Sequence, residues 1–244
     1  MDIYKQYSDF VGKLLQDGSQ DLGNFKSHPD YTYMLEHVTK EQGEGFLEQI
    51  SNEIPMDAIR EYCLLNDRIG EPNKADFKFG SASPTSVRYV TQATVILSYM
   101  KSLNMTSPDV VEIGGGYGGM FLAMRFFSSY YGIVFRSYTI IDLTEPLQLQ
   151  KIYLSKLGVE KEVCFENADT FGAMIPCTNM FLLSNYCFSE IPMNFQEQYR
   201  KILFPKVAHG FFAWNNIDVY DFGFPHRIET EVPLTAPYNR YVYF

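Results

Sequence analysis

The sequence predicts an α/β fold: a doubly wound, mostly parallel sheet closed by an antiparallel pair, with a helical region in front of it. Three observations predict this. Apolar residues recur at helical spacing through roughly the first hundred residues. The period then changes at Asp109, where Val110-Val111-Glu112-Ile113 is a short apolar run ending in Gly114, as expected of a strand buried on both faces. From there strand-like and helix-like segments alternate, the order that builds a parallel sheet with helical crossovers.

Taken in order, Phe10, Val11, Leu14 and Leu15 fall on one helical face, and Gly18 stops the run. After Ser27–Asp30, residues Tyr31, Met34, Leu35 and Val38 follow at i, i+3, i+4, i+7. Phe46, Leu47 and Ile50 form a short amphipathic stretch, and Pro55 precedes Ile59, Tyr62 and Cys63. The polar segment 70–84, with two prolines and two glycines, reads as a loop. Helical spacing resumes over 86–103 through Val90, Ala93, Ile96, Leu97 and Met100. Strands are expected at 110–113, 137–142, 162–165, 179–184 and 208–214, with helices at 120–129, 146–157 and 195–203 between them. The end reads as strand–turn–strand, 227–232 and 239–244 around Pro233–Pro237. The chain therefore divides into a helical cap, residues 1–104, and a sheet domain, residues 105–244, with the cap an appendage and not an independent domain.

At 244 residues, 46% apolar and 20% charged, the composition is that of a globular protein of one domain or one domain with a cap. The 20 Phe, 18 Tyr and single Trp supply apolar surface that argues against disorder. A net charge of −9 argues against binding nucleic acid or an anionic membrane, which favour a basic face. No run of 18 apolar residues spans a bilayer, and Asp2 with no following apolar stretch argues against a signal peptide. Cys63, Cys164, Cys177 and Cys187 are scattered and read as reduced core thiols, which points to the cytoplasm. His28, His37, His209 and His226 show no metal-ligand spacing, so no metal is expected.

The sharpest feature is Glu112-Ile113-Gly114-Gly115-Gly116-Tyr117-Gly118-Gly119, set between a strand and a helix. Glycines there allow a tight turn and let a ligand approach bare backbone. Two ligand classes compete. A dinucleotide sets a diphosphate over the helix N-terminus, whereas S-adenosylmethionine offers an ammonium, a carboxylate, a ribose and an adenine. Glu112, an acid beside the turn, suits an ammonium better than a diphosphate. Asp142, ending the second strand, can accept ribose hydroxyls from either ligand. A nicotinamide oxidoreductase would further need a hydride-transfer partner such as Y-x-x-x-K, and Tyr153 is followed by Lys156 one position too early.

The segment VVEIGGGYGGMFLAM resembles motif I of class I S-adenosylmethionine-dependent methyltransferases. Its doubled glycine form, together with FKFGSASPTSVRYVTQ, IIDLTEP, SNYCFSEI and the terminal NRYVYF, resembles the sugar O-methyltransferases of glycan-biosynthesis clusters and of some large viruses. The resemblance covers roughly residues 25–244. It implies a Rossmann-like seven-stranded sheet with a reversed final hairpin, S-adenosylmethionine as cofactor with S-adenosylhomocysteine as product, and a sugar hydroxyl as acceptor. Cofactor contacts are then expected from Glu112, Gly114, Gly115, Gly116, Tyr117, Asp142, Leu143, Asp169 and Ser184. The segment holding Ser81, Ser83, Thr85, Arg88 and Tyr89 would fold over the cofactor, with Arg88 meeting its carboxylate or a phosphate on the acceptor.

Methyl transfer to oxygen is a displacement in which placement does most of the work and a base takes the hydroxyl proton. Candidate bases are Glu190, after the fourth strand, and His209, at the edge of the fifth. Asn185 and Tyr186 are candidate acceptor-positioning groups. Trp214 is a candidate sugar platform, with Asn215 and Asn216 on hydroxyls. Each also has an ordinary structural role open to it, as a helix cap, a turn residue or a core side chain. A non-catalytic scaffold in glycan assembly is a second reading, and a homodimer through the N-terminal helices a further expectation.

Overall fold

The computed structural model describes residues 3–16 and 22–244. Gly18, expected to stop the first helix, lies outside the described residues. The N-terminal region is helical: α1 (Ile3–Gln16), α2 (Pro29–Met34), α3 (Lys40–Ile50) and α4 (Met56–Asn66). The helix expected from Tyr31 through Val38 ends at Met34, and residues 35–38 form a non-helical connection to α3, which starts at Lys40 behind the cap residue Thr39. Thr39 and Gln42 form a reciprocal capping box, with Gln42 N donating to Thr39 Oγ1 at 3.2 Å and Thr39 N donating to Gln42 Oε1 at 3.0 Å.

The segment expected as a loop over 70–84 contains a short hairpin, β1 (Ala75–Phe77) and β2 (Gly80–Ala82). Lys78 and Phe79 make its turn, Gly80 leads into β2 at φ +127°, and the Phe77 and Phe79 rings stack 5.5 Å apart. Three-residue strands are too short to show a period, which is why composition alone reads as loop. Helix α5 (Pro84–Ser102) follows, with Pro84 at its first turn and Ser83 Oγ accepting from Thr85 N at 3.1 Å.

The sheet is built from β3 (Asp109–Ile113), β4 (Ser137–Asp142), β5 (Cys164–Asn167), β6 (Met180–Asn185), β7 (Val207–Trp214), β8 (Arg227–Thr230) and β9 (Arg240–Tyr243), in the order β5-β4-β3-β6-β7-β9-β8. The pairs from β5 through β7 are parallel, and β9 runs antiparallel to both β7 and β8. The seven-stranded, mostly parallel sheet with a reversed final hairpin is thus present. Strand β5 begins two residues later than expected, because residues 160–162 form a 3₁₀ turn and the register with β4 pairs Thr139 with Cys164 and Asp142 with Asn167.

Side chains alternate across this sheet as the strand period requires. Val110, Ile140, Phe181, Leu183, Phe211, Ala213, Tyr241 and Tyr243 face a core shared with α3, α4, α5, α6 (Gly119–Phe127) and α7 (Thr144–Lys156). Val111, Ile113, Ile141, Leu182, Phe212, Trp214, Val242 and Phe244 face a second core with α8 (Met193–Ile202) and the aromatics Phe188, Phe204 and Phe222. Among the described residues no helix is long and apolar enough to cross a membrane.

A buried polar knot ties the N-terminal region to the glycine turn. Lys26 is fully buried, donates to Asn66 O at 2.6 Å, and lies 4.1 Å from the Tyr117 ring and 4.8 Å from the Tyr153 ring. Asn66 Nδ2 donates to the Tyr117 hydroxyl at 2.9 Å, and Tyr153 Oη donates to Asn66 Oδ1 at 2.8 Å. Burial pulls the Lys26 ammonium down to about 8.

Sheet packing is tightest at Gly210, where an added Cβ would lie 2.6 Å from Leu182 O and collide with the Phe244 ring. A backbone oxygen in a central strand cannot retreat. We expect Gly210→Ala to destabilise the fold by about 1–3 kcal/mol, read as a lower urea midpoint at unchanged m-value.

Candidate active site

Two adjoining cavities open where β3, β4, β5 and β6 end. The first, about 350 Å³, is lined by Gly114, Asp142, Leu143, Asp169, Phe171 and Phe195 among others. The second, about 440 Å³, is lined by Gly116, Arg88, Asn185, Tyr186, Glu190, Asn215 and Asn216 among others. Gly114, Asp142, Leu143 and Cys187 belong to both. Parallel strands present their carboxyl ends together, and in such sheets that edge is where ligands are held.

The glycine turn is the floor. Gly114, Gly116 and Gly118 have φ of +77°, +56° and +96°, which side chains with a Cβ adopt at a cost. Each glycine does a different job. A Cβ on Gly114 would strike Cys187 Sγ, and one on Gly119 would lie 2.7 Å from the Tyr89 ring. Over Gly116, in contrast, a Cβ would find only Leu35 at 3.7 Å and Tyr89 Oη at 3.9 Å, so its bare backbone faces the second cavity.

Asp142 locks this floor to β4. Its carboxylate accepts from Gly115 N at 2.9 Å, Leu143 N at 2.8 Å and Gln150 Nε2 at 2.8 Å. Gln150 Nε2 also donates to Gly116 O at 3.0 Å. Burial pushes the Asp142 carboxyl up to about 6, against three donors that hold it down.

The strand–loop after β6 supplies the second cavity. Tyr186 has φ +55°, a strained value for an aromatic residue, and is held by Tyr186 N donating to Ala213 O at 2.7 Å. Its hydroxyl donates to the buried Glu231 carboxylate and accepts from Gln92 Nε2 at 2.6 Å. Glu231 in turn accepts from Thr235 N at 2.9 Å and Asn239 Nδ2 at 2.9 Å, which fixes the β8–β9 connection as the far wall, where Ala236 and Asn239 line the cavity. The Glu190 carboxylate accepts from Asn215 Nδ2, and from Asn216 Nδ2 at 2.9 Å. Ser189 Oγ donates to Asn215 Oδ1 at 2.6 Å and accepts from Asn215 N at 3.0 Å, so the amide that holds Glu190 is itself held.

Several expected site residues therefore come together: Gly114, Gly116, Asp142, Leu143, Asp169, Arg88, Asn185, Tyr186, Glu190, Asn215 and Asn216 all line one or both cavities. Gly115 contributes its N–H to Asp142 without lining either.

Others stand elsewhere. His209 pairs with Phe181 near the start of β6, at the amino end of the parallel strands, so it faces away from the site and takes no part in it. Trp214 is fully buried in the second core, donating Nε1–H to Ile217 O at 2.8 Å, and offers no face to a sugar. Tyr117 is a core ring under Lys26. Ser184 is buried, donating to Ile113 O at 2.9 Å and accepting from Phe188 N at 3.0 Å, a staple between strand ends. Glu112 is buried and accepts from Tyr138 Oη at 2.8 Å, and it lines neither cavity, so it does not face a bound ammonium. Of the segment expected to fold over the ligand, Ser83, Thr85 and Tyr89 are buried framework, and Arg88 alone among the five named there lines a cavity.

The cover comes instead from α1, which places Tyr7 in the second cavity and Ser8 and Asp9 in the first, with Ser8 Oγ donating to Glu145 at 2.6 Å. Sequence reasoning missed these residues, and also His37, Cys187 and Asn239. Of these, Cys187, in SNYCFSEI, and Asn239, the first residue of NRYVYF, lay within segments already singled out. Among the described residues no group of three His, Cys, Asp or Glu side chains could hold a metal ion.

No family model and no curated protein matches the chain. Among solved structures it is similar to a SAM-dependent methyltransferase from Aquifex aeolicus, at 19% identity over 60% of this chain and 86% of that one, TM-score 0.42. It is also similar to the methyltransferase domain of bacterial CtHen1-CN, at 13% identity over 62% and 96%, TM-score 0.44. A third is the glycopeptide N-methyltransferase MtfA complexed with S-adenosyl-L-methionine, at 12% identity over 50% and 48%, TM-score 0.38. The chain thus spans about half the length of that last protein. No activity, ligand or acceptor passes from these proteins to this chain.

Burial pushes the Glu112 carboxyl up to about 8, with the nearby Asp142 charge adding to it and Tyr138 opposing it. Folded Glu112 therefore keeps a proton that the unfolded chain releases near its ordinary value. Its contribution is fully present below the unfolded value and is lost as pH rises through about 8. We expect Glu112→Gln, which keeps an acceptor for Tyr138, to flatten the decline in stability between pH 5 and pH 8, measured by urea unfolding at each pH. An unchanged decline would place the titration elsewhere.

Proposed function

We propose that this chain is an S-adenosylmethionine-dependent methyltransferase acting on a hydroxyl of a sugar or glycan. The observation that carries the reading is the pair of cavities that share Gly114 and Asp142, with the bare backbone of Gly116 facing the second. One is a mostly apolar slot bounded by Phe171, Ile191 and Phe195, suited to a flat base, with Asp169 on its lining to meet an exocyclic amine. The other sets the amides of Asn185, Asn215, Asn216 and Asn239, the carboxylates of Asp142 and Glu190 and the Arg88 guanidinium among aromatic and apolar side chains, a lining suited to a polyhydroxylated acceptor.

A diphosphate fits this floor poorly. The Gly115 N–H that would greet a phosphate is already given to the Asp142 carboxylate, and that negative group lines both cavities. Asp142 suits ribose hydroxyls, with Leu143 packing beside them. The open backbone at Gly116 suits the amino-acid end of the cofactor. When bound, S-adenosylmethionine supplies an electrophilic methyl group.

The chain's own residues do the rest. Asn215 and Asn216 fix the Glu190 carboxylate at the second cavity, where it accepts the proton of the acceptor hydroxyl as the oxygen attacks. Asn185 and Asn239, each with a buried amide oxygen that has no partner among the described residues, offer acceptors to further hydroxyls. Tyr186, locked by Glu231 and Gln92, forms a fixed wall that orients the ring. Helix α1 excludes water from both cavities.

The test is transfer of labelled methyl from S-adenosylmethionine to a panel of free and nucleotide-linked sugars. Glu190→Gln should lower the rate about 10²–10⁴-fold, the usual worth of a positioned base, with S-adenosylhomocysteine affinity unchanged. A Glu190→Gln enzyme transferring at the wild-type rate would remove the base assignment. Label appearing on an amine in place of a hydroxyl would remove the acceptor class.

A further inference from the structure

Arg88 is 3% exposed, yet among the described residues it pairs with no carboxylate. A buried guanidinium normally has an anionic partner, because desolvating it without one is costly. Here one terminal nitrogen donates to Leu35 O at 3.0 Å, Nε is buried with no partner among the described residues, and the ring of Tyr186 lies 5.3 Å from the guanidinium carbon. Arg88 lines the second cavity, beside Gly116, Tyr186 and Asn239. Of the carboxylates lining that cavity, Asp142 accepts from Gly115 N, Leu143 N and Gln150 Nε2 and forms no ion pair with Arg88. His37 is pushed down to about 4 by burial and by Arg88 itself, so it is uncharged at neutral pH, and the Glu190 carboxylate is engaged by Asn215 and Asn216.

We infer that Arg88 is an oxyanion-binding site, completed by a carboxylate or phosphate that arrives with a ligand. The planar fork is held from one side by Leu35 O and across its face by Tyr186, leaving Nε and the remaining N–H groups for a bidentate anion. Two sources bring such a group to this cavity: the amino-acid carboxylate of the cofactor, and an anionic acceptor such as a sugar phosphate or uronic acid. The second source deepens the function proposed above and rests on it. The anion site itself does not.

The experiment is calorimetry on the full chain with S-adenosylhomocysteine, with 5′-methylthioadenosine, which lacks the amino-acid end, and with inorganic phosphate both on the free protein and on protein mixed with S-adenosylhomocysteine in excess. Wild type, Arg88→Gln and Arg88→Lys are compared after far-UV circular dichroism confirms folding. If the cofactor supplies the anion, Arg88→Gln weakens S-adenosylhomocysteine about 10- to 100-fold, as for loss of a buried charge-assisted bond, and leaves methylthioadenosine unchanged. If the acceptor supplies it, both nucleosides bind the variants as they bind wild type. Phosphate then binds wild type, is lost in Arg88→Gln and is weakened in Arg88→Lys, which keeps the charge but not the fork. Should Arg88→Gln fail to fold, the Arg88→Lys comparison and the wild-type difference between the two nucleosides decide. Phosphate binding that depends on Arg88 in a protein that binds neither nucleoside would keep the anion site and remove the methyltransferase reading. Ligand affinities indifferent to Arg88 in every arm, or no binding of any of the three, would overturn the inference.

Discussion

The hydrogen bond from Gly115 N–H to the Asp142 carboxylate is the constraint on which the site depends. It joins the turn after β3 to the end of β4, and Gln150 of α7 closes the triangle by donating to Asp142 and to Gly116 O. A charge-assisted bond of this kind contributes about 1.5–3 kcal/mol, and here it also selects one conformation of a run of glycines that would otherwise be loose. With the floor fixed, Gly114 can sit against Cys187, Gly119 against Tyr89, and Gly116 can stay open to the cavity. From below, Lys26 and Asn66 hold Tyr117, the one side chain with bulk in the turn, so the N-terminal region and the sheet share a single core.

Much of the fold was legible because it rests on local rules. The period change at Asp109, the strand–glycine–helix order and the turn around Pro233–Pro237 each depend on residues close in sequence, and each produced the element expected. The errors fall where distant residues decide. The β1–β2 hairpin is three residues a side and has no period to read. Helix α2 stops at Met34, four residues before the apolar spacing ends, and Thr39 and Gln42 cap a separate helix beyond the break. Strand β5 slips by two because its register is set by β4 and not by its own apolar residues.

The site was legible at its strand ends and illegible in side-chain direction. Asp142, Asn185 and Glu190 follow strands, and chain direction alone places them at one edge. The same logic, applied to which end of β7 a residue occupies, separates Asn215 and Asn216 from His209, since five positions between His209 and Trp214 span most of the sheet's height. Glu112 shows the limit. Alternation turns it toward Tyr138 and the shared core, while Asp142, thirty residues on, takes the place at the junction of the cavities. Trp214 fails for the same reason: its strand position points it into the aromatic cluster of Phe212 and Phe222. The cover provided by α1 leaves no local signature, because an amphipathic helix reads alike wherever it lands.

The Gly114–Gly116 floor, with Asp142 standing on it, admits an adenosyl amino acid and refuses a dinucleotide in the function proposed for this chain. Titration calorimetry of the full chain with S-adenosylhomocysteine, and in parallel with NAD⁺, tests this most directly. Saturable, one-to-one binding of S-adenosylhomocysteine is expected, and none of NAD⁺. Binding of NAD⁺ with none of S-adenosylhomocysteine would contradict it.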